Sequence, residues 1–341
     1  MEKPLLKKRL SWIDALKTFA IAVVVLGHCI QTIDPKHNSN PLLFLIISFQ
    51  MPLFMAVSGY LSYKPKLKVE FLTSRFVQLI PPFLCWPIIW RIVEMDFAGL
   101  EEQYMKLFKQ PDTGLWFLYI LFLISLLEFI RKKLLDYIIP DSSHSLAWWI
   151  NLISILALSV TLPALILILN LRGWGIQLIS LYYPFYMMGN LMRQHWNKIG
   201  HRLNSIGWVL MVLFIISLAV YWGGYTALFN VGSKSLFDYG FKVLTSTLGA
   251  LSMFSLFSRS QGVEFPRWTY YIGSHTLGIY AVHQPLIGYL RNNIHLPSVP
   301  LQICISFMLI SAASLLFVYI AQRNKWSAML LLGEKKMDKS K

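Results

Sequence analysis

Cysteine and charge are both scarce in this 341-residue chain. Its three cysteines, Cys29, Cys85 and Cys304, stand apart in apolar runs. They have neither metal-ligand spacing nor the clustering of a disulfide framework, so they read as packing residues. Only 14% of residues are charged, too few to cover a soluble core of this size. There is no glycine-rich phosphate loop, no dinucleotide fingerprint, no zinc-protease motif and no metal-ligand cluster. That excludes the chemistries those motifs carry and predicts neither a metal site nor a permanently held cofactor. Internal repeats and low-complexity segments are also missing, and no loop is long enough to hold a soluble catalytic domain.

What the chain has is apolarity: 56% hydrophobic residues and a mean hydropathy of +0.54. Apolar stretches of about 18 residues or more, the length that crosses a bilayer core as helix, recur from end to end. They predict an all-α polytopic membrane protein, a bundle of about ten transmembrane helices. The spans fall near 11–32, 41–63, 76–94, 113–130, 147–169, 177–192, 203–222, 241–258, 269–290 and 301–322. The first run is long and lacks a small-residue cleavage site, so it reads as an uncleaved span.

Basic residues sort by loop. With the N-terminus inside, segments 1–9, 64–75, 131–145, 193–202, 258–267 and the tail after Gln322 hold 22 of the 31 Lys and Arg residues. That asymmetry predicts both termini in the cytoplasm. It also argues against nucleic acid as a partner despite the +15 net charge, because no basic stripe with interleaved aromatics forms. Residues 1–341 read as one membrane domain, ending in a short basic cytoplasmic tail at 323–341. The most acidic outer loop, 97–114, reads as a solvated loop or as a cover over a site.

Several polar residues sit inside the apolar runs. In the first span, Asp14 and Lys17 are three apart and share a helical face. Lys17 and His28 are eleven apart, about 1,100° of turn, which returns them to one face at an axial separation of about 16 Å. A charge deep in a span costs about 2.5–3.5 kcal/mol on insertion scales, so such residues usually face a cavity or a partner. Asp14 and Lys17 can equally snorkel to the interface as an ion pair. His28 has no flanking charge and reads either as a hydrogen-bonded structural residue or as a general base.

In the second span, "FQMPLFMAVSGYL" carries a helix-interior proline at Pro52. Its Ser58–Gly59 pair allows close approach of another helix or of a ligand. Arg75 reads as an inside anchor or as a phosphate contact. Trp116, in "LWFLYILF", sits where an aromatic belt or a substrate wall would place it. Late in the chain, "YIGSHTLGIYAVHQPL" sets Tyr280 and His283 three apart on one face, at a depth similar to His28. Two intramembrane histidines at similar depth need each other or a shared ligand.

Together these stretches resemble the acyltransferase 3 family of integral membrane acyltransferases, in particular its fucose 4-O-acetylase-like branch. The resemblance rests on Lys17 and His28 with ten residues between them, on "FQMPLFMAVSGYL", on "LWFLYILF" and on "IGSHTLGIYAVH", in that order. The ten-span layout agrees with it. Gln50 stands where many relatives have histidine, Gln78 where a second arginine follows Arg75, and Thr276 where serine is usual.

The resemblance implies transfer of an acyl group, commonly acetyl, from cytosolic acyl-CoA to a sugar hydroxyl of a surface polysaccharide or lipid-linked glycan. The setting it implies is the bacterial plasma membrane. It assigns His28, His283 and Tyr280 to catalysis, and Lys17, Asp14, Arg75 and Ser58 to the donor. Trp116 and Gln50 fall to the acceptor. His28 acts as base or carries the acyl group itself, two routes that these motifs do not separate. Export of a glycan without chemistry is the alternative function for such a bundle. The acyl chain, the sugar and the oligomeric state are not encoded in these motifs.

Overall fold

The computed structural model describes residues 10–94, 99–110, 114–139, 144–222, 236–294 and 296–334. Among them every regular element is helical. In chain order these are α1 (Ser11–Ile33), a 3-10 turn (His37–Ser39), α2 (Pro41–Ser62), α3 (Val69–Glu94), α4 (Leu100–Lys109) and α5 (Trp116–Ile138). There follow α6 (His144–Leu169), α7 (Ile176–Gln194), α8 (Trp196–Trp222) and α9 (Leu236–Ser258). The last are α10 (Arg267–Ser274), α11 (Thr276–Asn293), α12 (Val299–Ala321) and α13 (Lys325–Leu332).

Seven helices, α1, α2, α3, α6, α8, α9 and α12, are long and apolar enough to cross a membrane. The other three expected spans fall on α5, α7 and α11, of 23, 19 and 18 residues. These three carry much of the buried polarity: Glu128 and Arg131, Asn190, and His283. Helices α6, α8 and α12 turn Ile153, Val160, Val212, Ile216, Met308 and Leu316 outward. For a multi-pass membrane protein that apolar perimeter is the lipid-facing surface.

Beyond shifts of up to seven residues at the starts of α3, α8 and α9, four features differ from the hydropathy reading. The ninth span is two helices, α10 and α11, broken at His275. Helix α5 continues eight residues past the expected end at 130, because Arg131 is not a loop cation. Its guanidinium forms a two-point ion pair with Glu128 one turn back, Nε to Oε2 at 2.7 Å and the second amino nitrogen to Oε1 at 2.8 Å. It also donates to Ser154 Oγ at 2.6 Å, tying α5 to α6. A hydropathy window ends at the first charge, whereas a neutralised buried pair lets the helix run on.

Within the expected outer loop, Leu100–Lys109 forms the amphipathic α4. Residues 325–332 of the expected tail form α13, which docks against α3, α11 and α12. Leu332 is buried there, and the Trp86 indole donates to the Leu331 carbonyl at 3.0 Å. Residues 335–341 lie outside the described residues.

The most extensive helix contact is α2 against α7. Its cause is a reciprocal pair of glycines. A Cβ on Gly59 would sit 1.8 Å from the Tyr186 carbonyl oxygen, and one on Gly189 would sit 1.8 Å from that of Ala56. Only glycine allows backbones this close, as in small-residue membrane seams. Helix-interior prolines contribute a second device. Pro52 leaves the Ser48 carbonyl without its helical donor, and Ser246 Oγ on α9 donates to it at 2.7 Å. Pro184 does the same to Ser180, whose carbonyl accepts from the Tyr239 hydroxyl at 2.6 Å. Each proline therefore becomes a tie to α9.

Candidate active site

Helix α1 is the axis of the site. It packs against α2, α9, α10, α11 and α12, and more than half of its residues are buried. The end of the bundle that carries the basic loops is called the inner end below. Near it, Asp14 is buried and lies 3.6 Å from the Lys17 ammonium. Gly273 lets α10 settle on α1 at this level, since a Cβ there would meet the Asp14 carbonyl at 2.6 Å.

Lys17 lines a narrow slot of ≈ 150 Å³ bounded by α1, α2, α3, α5 and the α10–α11 junction. Its inner part carries Lys17, Arg75, Gln78, Ser58, Ser274 and Thr276. Its remaining wall is mostly apolar, including Phe54, Leu79, Leu121 and Phe117, with Tyr280 at the far side. The slot thus joins a cationic, hydroxyl-rich mouth to an apolar interior. Arg75 is held by two neighbours: it donates to Gln78 Oε1 at 2.9 Å and to Ser62 Oγ. Gln78 therefore orients Arg75, and the other cation on the slot is Lys17.

The two histidines meet just beyond Tyr280. The His28 and His283 rings are 5.2 Å apart, and the Tyr280 and His283 rings 5.6 Å apart. Tyr280 in turn packs edge-on against Phe117 at 5.7 Å. His283 is fully buried, with Nδ1 2.7 Å from the Tyr280 carbonyl. A carbonyl only accepts, so Nδ1 carries the proton and donates. That leaves Nε2 as a bare acceptor, and it has no hydrogen-bond partner.

Of the acceptor residues expected from sequence, Gln50 is beside this pair but not on the slot. A Cβ on Gly27 would lie 3.3 Å from Gln50 Oε1, so the amide presses on α1 next to His28, and that oxygen is unpartnered. Trp116 is not brought to the slot. It stacks on Tyr182 at 5.1 Å, while Phe117, one residue on, supplies the wall. One residue is about 100° of helix, which hydropathy alone does not resolve. Sequence reasoning also passed over Gln31, which stands one helical turn beyond His28 on the same face of α1. The spacing of three was the available signal. Among the described residues, no three His, Cys, Asp or Glu side chains gather as metal ligands.

A helical bundle that brings two histidines together past the end of a cation-mouthed slot defines a class of multi-pass membrane proteins with a polar site inside the helical bundle. The chain belongs to the acyltransferase 3 family: the acyltransferase domain matches residues 10–323. Among curated proteins it is similar to nodulation protein NolL of Mesorhizobium japonicum, 28% identical over 218 residues, which is 61% of this chain and 53% of that protein. It is also similar to nodulation protein NolL of Sinorhizobium fredii, 28% identical over 192 residues, or 53% of this chain and 48% of that protein. The chain thus spans about half the length of these relatives. No solved structure matches it.

Proposed function

We propose that this acyltransferase moves an acyl group, most simply acetyl, from cytosolic acyl-CoA to a sugar hydroxyl of a surface polysaccharide or lipid-linked glycan. Its setting is the bacterial plasma membrane, with both termini cytoplasmic. The observation that carries the reading is the slot's polarity: Lys17 and Arg75 at one part of it, apolar walls beyond, and the His28–His283 pair past Tyr280. An anionic nucleotide with a long uncharged arm ending in a thioester matches that sequence of environments. Guanidinium and ammonium suit the phosphates, and the apolar wall suits the arm.

In the proposed step, His28 takes the proton of the acceptor hydroxyl while its oxygen attacks the thioester carbonyl. The tetrahedral intermediate collapses with cleavage of the C–S bond. The departing thiolate then recovers the proton from the His28 imidazolium. Tyr280 and Ser58 are hydroxyl donors on the slot wall available to the oxyanion. A positioned base is worth on the order of 10²–10⁴ in rate.

The test uses the full chain in lipid nanodiscs with acetyl-labelled CoA and the surface polysaccharide of the producing cells. Label should move to base-labile ester on the glycan, and His28→Ala should abolish the movement. Full transfer by His28→Ala, or no consumption of acetyl-CoA by the native chain, would rule the reading out.

A further inference from the structure

A space larger than the slot opens toward the other end of α1. At the outer end, one turn beyond His28, lies a vestibule of ≈ 710 Å³. This is within the ~300–1,000 Å³ typical of ligand sites. The end of α1 contributes Gln31 and Thr32, the following turn contributes Asp34, the end of α11 contributes Arg291 and Asn292, and α12 contributes Gln302. None of these residues lines the donor slot.

The vestibule's chemistry is that of a polyol site. Amides and a hydroxyl supply paired donors and acceptors, and the two charges have opposite sign. Asp34 and Arg291 form no ion pair among the described residues, so each keeps hydrogen-bonding capacity toward a ligand. The rim is braced. Asp34 Oδ2 accepts from the Asn40 amide at 2.9 Å and Oδ1 from the Lys36 N–H at 2.8 Å. The Asn40 bond first, then that of Lys36, holds the Asp34 carboxyl below the usual carboxylate range, which keeps it an ionised acceptor. Gln302 is fixed by its own bond to the Ile294 carbonyl at 2.6 Å.

Gln31 belongs to both places. It lines the vestibule, and it stands three residues beyond His28 on the same face of α1. An amide carbonyl that accepts one ring N–H fixes the tautomer and leaves the other nitrogen free to take a proton, as the third member of a nucleophile–base–orienter set does.

We propose that this outer vestibule is the acceptor subsite for a polyhydroxylated, carbohydrate-type substrate, and that Gln31 is the positioning residue that holds His28 toward the hydroxyl bound there. The proposal rests on the acyl-transfer reading above and extends it to a site outside the slot.

The test keeps the full chain in nanodiscs and uses acetyl-CoA with polysaccharide purified from the surface of the producing cells. Asn292→Trp should fill the vestibule and raise the polysaccharide KM at least ~10-fold, while acetyl-CoA binding, which also reports folding, stays as in the native chain. Gln31→Ala should lower kcat about tenfold with little change in KM, and Gln31→Glu, which keeps an oxygen acceptor, should restore part of it. In a Cys304→Ser background, saturating polysaccharide should shield Asn292→Cys from a membrane-impermeant maleimide.

A native KM in Asn292→Trp, unshielded labelling, or a Gln31→Ala defect confined to KM would each overturn the proposal. The two readings fail differently. Shielding without any acetyl transfer keeps the vestibule as a glycan site and removes the acyl-transfer reading. Transfer without shielding keeps acyl transfer and removes the vestibule.

Discussion

The two spaces on either side of the histidine pair are built from opposite materials. The inner slot is narrow, ≈ 150 Å³, with two cations at one part and a mostly apolar wall beyond. The outer vestibule is ≈ 710 Å³ and lined mainly by amides, a hydroxyl and charges of both signs. A narrow tube with a charged mouth suits one extended molecule entering end-on. A broad polar basin suits a bulky, hydrated one that presents a single group. Under the proposed reaction the difference would put the two substrates at two faces, and α1 spans both, with Lys17 on the slot and Gln31 on the vestibule.

The sharpest way to break this comparison is to remove the histidine that the proposed reaction places between the two spaces. His28→Ala is expected to lower transfer by about 10²–10⁴, with donor and acceptor binding each unchanged by equilibrium titration. Next in size is the wall behind the slot. Gly59→Ala puts a methyl 1.8 Å from the Tyr186 carbonyl oxygen, so α2 and α7 must part. A loss of about 3 kcal/mol or more is expected, read as a lower unfolding temperature in detergent together with lost acetyl-CoA binding.

A smaller and one-sided effect belongs to the slot's cations. Arg75→Gln is expected to raise the acetyl-CoA KM roughly 10- to 100-fold, the range for losing a charged hydrogen bond. The acceptor KM should stay within about twofold, and Lys17→Gln should act in the same direction. If Arg75→Gln moved the acceptor KM instead, the assignment of faces would be reversed. The smallest effect is expected at the vestibule rim. Asn40 caps α2 by accepting from the Leu42 and Leu43 amides while donating to Asp34. Asn40→Ala should cost about 1 kcal/mol of stability and weaken acceptor use without touching acetyl-CoA binding.

How much of this was legible in the sequence depended on whether one helix or several decide it. Lys17 and His28 share a face because of the period of a single helix, and the spacing alone made that legible. Gly59 was legible as a close-approach site, though not its partner Gly189, because that pairing needs the register of α2 on α7. Arg75 was legible as a cation at the inner end. The part played by Gln78 in holding it shows only when both side chains are placed.

The break at His275 and the docking of α13 were not legible, since both depend on tertiary contacts of the chain end. A Cβ on Gly333 would lie 1.9 Å from the Gln78 carbonyl oxygen, and Glu334 pairs with Gln322 at 2.8 Å and approaches His275 at 3.5 Å. Hydropathy reads such a segment as tail. The vestibule was equally hidden, because α1, α11 and α12 supply it from positions far apart in the chain.

The central claim is that the donor reaches the histidine pair from the inner face. The most direct measurement is a cryo-EM structure of the full chain bound to acetonyl-CoA, whose ketone replaces the thioester and cannot be transferred. The account predicts phosphate density at Lys17 and Arg75, with the ketone carbon beside His28. Phosphates in the outer vestibule, or a ketone on the inner side of Tyr280 and away from both histidines, would contradict it.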